Sequence, residues 1–551
     1  MSDKPNEGDT PPSVHDRLKA ELSARKTGAV GDQGQRGKAS KANDPKAKVL
    51  AIIDAATQAP EVDHSEDGCA EHTGGYERDD ASVDDLGGTG PLPQDWGYSL
   101  ETLNSEWSLV LIGSKAVMVR EQPWAKIEDR VRVVQIDAFR HLLSNTRTQY
   151  MGSDGKIKTV TWAKRWEGER WRRQYDGIEF HPDPQKGEGT KGYLNLWRGF
   201  SYQPDPQAGS WAIFRDHMLT NICSGDEALF KWVFGWFAHM FQRPRERPGT
   251  AIVVRGLMGT GKSIMGEVMG DLIAAHYFQV DDPRYITGQF NAHMSACLLL
   301  QAEEAVWAGD KVAEGRLKGL ITSKTQMIES KGVDPYRLDN YVRVLMTSNE
   351  DWVVPAGKDE RRYCVLDVAD TVKENHSYFR EMFEELDNGG RAALLDALLT
   401  FDLSQVNLRQ IPRTGALLQQ KLRSLDSVDA YVYERLCEGT LLRADATWSP
   451  DAFVVRQMLY DEYLTWADKV GIKRRADLNQ FGRSIKKLIP HLQDTRPRDG
   501  GTRKRAYVFP PLPDCRASFE AAVGQGVDWP LDDPGWAQRD EANSSHGETG
   551  W

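Results

Sequence analysis

Eight consecutive residues, Gly256-Leu257-Met258-Gly259-Thr260-Gly261-Lys262-Ser263, place three glycines, a lysine and a serine at the spacing of a phosphate-binding loop. Glycines let a chain double back so that its N–H groups face an anion, and the following helix N-terminus adds partial positive charge. Ala251–Arg255 precedes the loop as an apolar strand, and a helix is expected from Ser263 and Ile264 onward. In that setting Lys262 reaches the β- and γ-phosphates of a nucleoside triphosphate, and Ser263 is a ligand for Mg²⁺. ATP and Mg²⁺ are therefore the expected ligand and cofactor.

Further along, the apolar run Cys297–Ala302 ends in Glu303-Glu304. A hard cation takes a carboxylate at a strand end, and hydrolysis needs a second group to orient water. Glu303 is assigned to the metal, and Glu304 to the water. A second apolar run, Val342–Met346, leads into Thr347-Ser348-Asn349. Asn349 at its tip is the candidate sensor of the γ-phosphate; an Asn closing a turn is the alternative. Arg361 and Arg362, ahead of the strand Cys364–Val368, suit a finger supplied in trans to a charge-dispersed transition state. An ion pair with Asp359 or Glu360 accounts for either one equally well. Between acids and sensor, Met327–Leu338 reads as a hairpin with Lys331 near its tip, where it can grip a phosphodiester backbone.

These motifs need an α/β core, expected over residues 249–371, in which strands alternate with helices. Residues 1–95 are polar and poor in aromatics, and are expected to be disordered apart from a helix-like stretch at Lys46–Gln58. Residues 96–205 read as an α+β region, 206–248 as an aromatic helical collar and 372–426 as a helical segment. In the Trp/Arg-rich stretch Trp162–Arg173, Trp162 and Trp166 are four apart and fit a packed helix face as well as a stacking site. Residues 427–512 read as a winged-helix-like domain. From Lys473 to Arg505 there are eleven Lys or Arg against three Asp, and Arg474, Lys486, Lys487, Arg503 and Lys504 are the candidate DNA contacts. Residues 513–551 are expected to be a disordered acidic tail.

Composition excludes some classes. The 551 residues carry a net charge of −11, concentrated partly in Glu61–Asp85 and the tail, and the six cysteines are scattered without a CxxC pair, against a zinc ribbon or a disulfide framework. Mean hydropathy is −0.57 and no apolar run is long enough to span a membrane, so a soluble intracellular protein is expected.

The ordered set GLMGTGKS, LLLQAEEA, LKGLITSKTQMIESKGVDPY, VLMTSNEDW and DERRYCVLDV, with YLNLWRGF upstream, resembles superfamily 3 helicases, specifically the phage and mobile-element branch related to poxvirus-type primase-helicases. The resemblance implies an AAA+-like core, a homo-hexameric ring threaded by single-stranded DNA, 3′ to 5′ movement at forked duplex DNA, and residence in a bacterial host's cytoplasm. It also implies a separate primase or polymerase as partner, because the polar residues before 95 do not read as the upstream primase domain many relatives carry. The rival readings are an origin-assembly protein whose ATP site orders an oligomer, and an ATPase switch without unwinding.

Overall fold

The structure, a computed structural model, describes residues 97–126, 129–282, 284–304, 311–330, 332–442, 446–448, 453–499 and 502–530. The sequence expectations for residues 1–95, including Lys46–Gln58, lie outside the described residues.

After the helix Leu100–Glu106 come four short runs: β1 (Trp107–Ile112), β2 (Lys115–Glu121), β3 (Val131–Val134) and, after a hairpin of β4 (Arg147–Met151) and β5 (Ile157–Thr161), β6 (Gln174–Tyr175). They form a sheet in the order β3-β2-β1-β6, and β7 (Gly177–Glu179) pairs with β8 (Tyr193–Asn195) beside it. Alternation along β2 sends Val117 and Val119 into the main core, while Met118 packs on the other face with Trp107, Phe139, Trp162 and Trp166. The packed-face reading of Trp162 and Trp166 therefore holds.

At the centre is a five-stranded sheet of β9 (Ala251–Arg255), β10 (Tyr277–Val280), β11 (Leu299–Glu303), β14 (Arg343–Ser348) and β15 (Tyr363–Asp367), in the order β10-β11-β14-β9-β15. All four pairings are parallel. Near-continuous apolar runs such as Ala251–Val254 are what strands covered on both faces require. Because β14 lies between β9 and β11, the ends of these three strands stand side by side on the carboxyl edge of the sheet. The chemistry of the glycine loop, the acids and Asn349 is therefore gathered on one rim. The hairpin expected after the acids is present as β12 (Thr325–Ile328) against β13 (Tyr336–Asp339).

One buried cluster runs from Val110 to Leu417, across the boundaries expected at 205, 248 and 371. The aromatic helix Glu227–Gln242 belongs to it, with Trp236, Phe237 and Phe241 fully buried, so the collar and the N-terminal sheet are built onto the same core as the central sheet. A second cluster runs from Leu418 to Val527. It joins helices Ser427–Glu438, Arg456–Lys469 and Leu478–Leu488, the hairpin of β16 (Thr440–Leu442) and β17 (Ala446–Thr447), and an antiparallel sheet of β18 (Phe453–Val455), β19 (Gln493–Thr495) and β22 (Ala506–Val508). A small ladder of β20 (Arg498–Asp499) and β21 (Thr502–Arg503) extends between β19 and β22.

The tail expected to be disordered from 513 opens instead with a helix, Leu512–Val523. Cys515, Phe519 and Val523, one turn apart, are buried on one face of it, and the Arg516 guanidinium donates to the Leu436 carbonyl at 3.1 and 3.0 Å. Acidic, glycine-rich composition hid an apolar stripe that docks the segment.

Candidate functional site

The loop leaves β9 with the Gly256 N–H donating to the Ser348 carbonyl at 3.2 Å, which ties its entry to the end of β14. Gly259 and Gly261 adopt φ of +75° and +81°, the left-handed region that L side chains avoid. At Gly261 a side chain would also collide, since a Cβ there would stand 2.8 Å from both His217 and Phe379. Among the described residues, no backbone acceptor takes the N–H groups of Gly259, Gly261, Lys262 and Ser263. Successive free N–H groups around left-handed glycines make a concave anion receptor. Thr260 is fully buried and its hydroxyl donates to the Leu257 carbonyl at 2.9 Å, whereas Leu257 and Met258 project outward at 55% and 72% exposure.

Lys262 is buried beside this receptor. Its ammonium donates to the Gly256 and Leu257 carbonyls at 3.0 and 2.6 Å and to Asn349 Oδ1 at 2.6 Å. The Asn349 amide in turn donates to the Glu304 carboxylate. Burial lowers the Lys262 pKa, and the Glu304 and Glu303 carboxylates oppose that shift. Glu304 sits at φ +52°, its N–H donating to the Thr347 carbonyl at 2.9 Å, so its backbone is turned out of β11 toward Asn349. Met258, Gly259, Gly261, Lys262, Ser263, Glu303, Glu304, Thr347 and Asn349 together line a cavity of about 210 Å³. Of the residues expected at the nucleotide site, Met258, Gly259, Gly261, Lys262, Ser263, Glu303, Glu304 and Asn349 thus share one cavity, while Gly256, Leu257, Thr260 and Ile264 are not in its lining.

Three groups that hold this rim were not expected. Gln301, fully buried in β11, donates to the Ser263 carbonyl at 3.2 Å and to Glu303 Oε1 at 3.0 Å, and accepts from the Tyr277 hydroxyl at 2.9 Å. A glutamine inside the apolar run Leu298–Ala302 was the available signal. It leaves room only for glycine at position 266 of helix Ile264–Asp271, where a Cβ would fall 1.7 Å from Gln301 Oε1. His217 donates through Nε2 to the Gly261 carbonyl at 3.2 Å, and its Nδ1 faces Asn221 Nδ2 at 3.5 Å. Burial lowers the His217 pKa against the Gly261 contact and Asp216, which favours the neutral ring. Nothing in its local sequence points to the loop 44 residues away. Glu374 closes the loop's other side, its N–H donating to the Gly259 carbonyl at 3.0 Å.

Arg361 and Arg362 precede β15, so they lie at the opposite edge of the parallel sheet from the glycine loop, about 15 Å away along a five-residue strand. Arg362 is paired with buried Glu360 at 3.4 Å. Arg361 is exposed, and its side chain has no acidic partner among the described residues.

Lys331 lies outside the described residues. Among the described residues that follow it in sequence, the Gly332 carbonyl accepts from Gln135 at 2.8 Å, and Asp334 pairs with Lys115 at 3.0 Å. In the C-terminal domain Arg474, Lys486, Lys487, Arg503 and Lys504 are all exposed. Lys486 pairs with Asp494 and rests 5.9 Å over the Tyr507 ring. Lys486 and Lys487 close the helix Leu478–Leu488, whose Asp477 cap accepts from the Asn479 and Gln480 N–H groups, and Arg503 lies on β21.

Ser263 and Glu303, the residues expected to hold a divalent cation, both line this cavity. A cation of the Mg²⁺ type takes much of its shell from water and phosphate oxygens, so two protein oxygens are enough to hold it beside a nucleotide.

The profile of a family of unknown function, DUF5906, matches residues 254–362. The chain is also similar to a protein of Nitratiruptor phage NrS-1 described as a DNA primase-polymerase, with 25% identity over 230 residues, 41% of this chain and 32% of the relative. The chain thus aligns with about a third of that relative's length. Among solved structures, two apo forms of the NrS-1 C-terminal region superpose with TM-scores of 0.53 and 0.51 at 16% and 17% identity, covering 74% of this chain and 98% and 97% of theirs. Fold is what these superpositions share. Among the described residues no helix is long and apolar enough to cross a membrane.

Proposed function

We propose that the chain binds ATP with Mg²⁺ at the Gly256–Ser263 loop and hydrolyses it to move along single-stranded DNA, as a ring-forming replicative helicase of a phage or mobile element. The observation that carries the reading is the continuous contact Lys262–Asn349–Glu304 across the mouth of a glycine receptor. A cation, an amide and a carboxylate in one row suit a terminal phosphate, its sensor and an attacking water, which supports the reading. Similarity to a phage replication protein supports DNA replication as the process. In this reading the core is a P-loop NTPase of the AAA+-like type, and the C-terminal helices and sheet act as a winged helix.

The N–H groups of Gly259, Gly261 and Lys262 bind the phosphate chain, and the Lys262 ammonium moves from the loop carbonyls to its oxygens. Bound through Ser263 and Glu303, Mg²⁺ would neutralise phosphate charge. Asn349 holds Glu304 at the cavity mouth, and Glu304 orients water and accepts its proton. Arg361 reaches the neighbouring subunit's site in the ring, since the length of β15 separates it from its own. Strand displacement on a tailed duplex, with ATP against a non-hydrolysable analogue, tests the reading. ATP-dependent displacement supports it; hydrolysis without displacement would leave an assembly ATPase or a switch.

A further inference from the structure

Residues 140–173 carry nine Lys or Arg against three acidic residues, in a chain whose net charge is −11. Some of this charge is spent internally: Arg140 pairs with Glu167 at 2.9 Å, Arg165 with Glu169 at 3.0 Å and Arg173 with Glu121 at 2.5 Å. Arg147, Lys156, Lys164, Arg170 and Arg172 have no carboxylate partner among the described residues. Arg147 and Lys156 lie on the β4–β5 hairpin, Lys164 on the helix Trp162–Glu167 and Arg170 and Arg172 in the segment after it; hairpin and helix are joined by the Arg165 guanidinium, 5.0 Å over the Tyr150 ring.

Trp171 stands in this field at 75% exposure, unlike Trp162 and Trp166 at 7% and 0%. An indole has much to gain from burial, so one left in solvent on a fixed support is an unspent contact surface. The support is fixed: the Trp171 carbonyl accepts from Asn104 Nδ2 at 3.1 Å, and the Arg172 guanidinium holds the Glu167 carbonyl. Arg170 lies 5.0 Å over the indole, presenting charge and ring together.

We propose that this face, centred on Trp171 with Arg170 and Arg172, binds single-stranded DNA at a second site outside the nucleotide core. Unpaired bases offer the flat faces an indole stacks on, and the unpaired cations track the phosphates; a duplex hides its bases and would use only the charge. The proposal rests on the reading above only for the choice of polynucleotide. It gives the strand a contact on the N-terminal sheet, where sequence alone placed contacts only at Lys331 and in the C-terminal domain.

The test is fluorescence anisotropy of a labelled oligo-thymidine, and of a duplex of equal length, with the full chain and no nucleotide. Trp171→Ala should weaken the single strand about tenfold, with Trp171→Phe recovering most of the loss. The double variant Lys164→Ala, Arg170→Ala should lower the slope of log affinity against log salt by about 1.4. Because these side chains are exposed, thermal unfolding and DNA-free ATP turnover should match wild type. Wild-type affinity and salt slope in both variants would overturn the site. Equal loss for single strand and duplex would overturn stacking, and binding of an acidic polypeptide without DNA would overturn the choice of ligand. ATP turnover in a wild-type protein that binds no single strand refutes this site alone. Trp171-dependent binding without any turnover supports the site and refutes the proposed function.

Discussion

Replacing Asn349 separates binding from chemistry. The side chain accepts from Lys262 at 2.6 Å and donates to Glu304, so Asn349→Ala removes a charge-assisted contact and frees the Glu304 carboxylate proposed to orient water. A hydrogen bond to a charged group contributes about 1.5–3 kcal/mol, equivalent to roughly 10- to 150-fold in rate if realised in the transition state. Lys262 and the loop N–H groups remain, so nucleotide affinity should change less than about threefold while turnover falls toward the upper end of that range. Asn349→Asp keeps the acceptor for Lys262 but replaces the donor to Glu304 with a like charge, and should be no better than Ala. The assay pairs steady-state ATP hydrolysis with equilibrium binding of a fluorescent nucleotide. Turnover in Asn349→Ala within threefold of wild type would refute the sensor role. Affinity lost in proportion to turnover would make Asn349 a binding group only.

Other expectations follow from the same contacts. Gly266→Ala drives a methyl into Gln301 Oε1, and should cost about 1–3 kcal/mol in chemical denaturation and lower turnover by displacing Glu303; unchanged stability would show that the helix can move away freely. Arg361→Ala should retain nucleotide binding, lose hydrolysis and poison mixtures with wild type beyond simple proportion. Arg362→Ala should instead lower stability by unpairing Glu360, and the reverse pattern would exchange the two roles. His276 is pushed down to about 3 by burial, reinforced by Arg198 and Arg130 against the Ala296 carbonyl, and His239 to about 3 by burial with Arg343 and Arg243. The unfolded chain therefore takes up protons below about pH 6.5 that the folded chain refuses. Stability should fall by about 3 kcal/mol between pH 7.5 and 5.5 from these two rings, and a flat profile in urea denaturation would contradict their burial as neutral groups.

The parts of the site legible in sequence are those whose signal is local. The glycine spacing before Lys262, the acids closing an apolar run and Asn349 at the end of another each declare a strand end. Which strands are neighbours is a property of the sheet, and the placement of β14 between β9 and β11 is what joins Asn349 to both Lys262 and Glu304. His217 and Tyr277 were invisible for the same reason, since each acts on a partner far along the chain. Gln301 was readable as a polar residue where a buried strand has no use for one, unless it is bonded. Composition misled at Leu512–Val523, where acidic and glycine content outweighed an apolar repeat of one turn. The hairpin around Lys331 was legible as a hairpin, but its anchoring by Lys115 and Gln135 depends on a region some 200 residues upstream.

The most direct test of the central claim is steady-state ATP hydrolysis with and without single-stranded DNA, using Lys262→Ala as the blank. The account predicts turnover that rises several-fold with single-stranded DNA and vanishes in the variant. Turnover that persists in Lys262→Ala, or that is indifferent to DNA in the wild type, would contradict a DNA-dependent motor built on this loop.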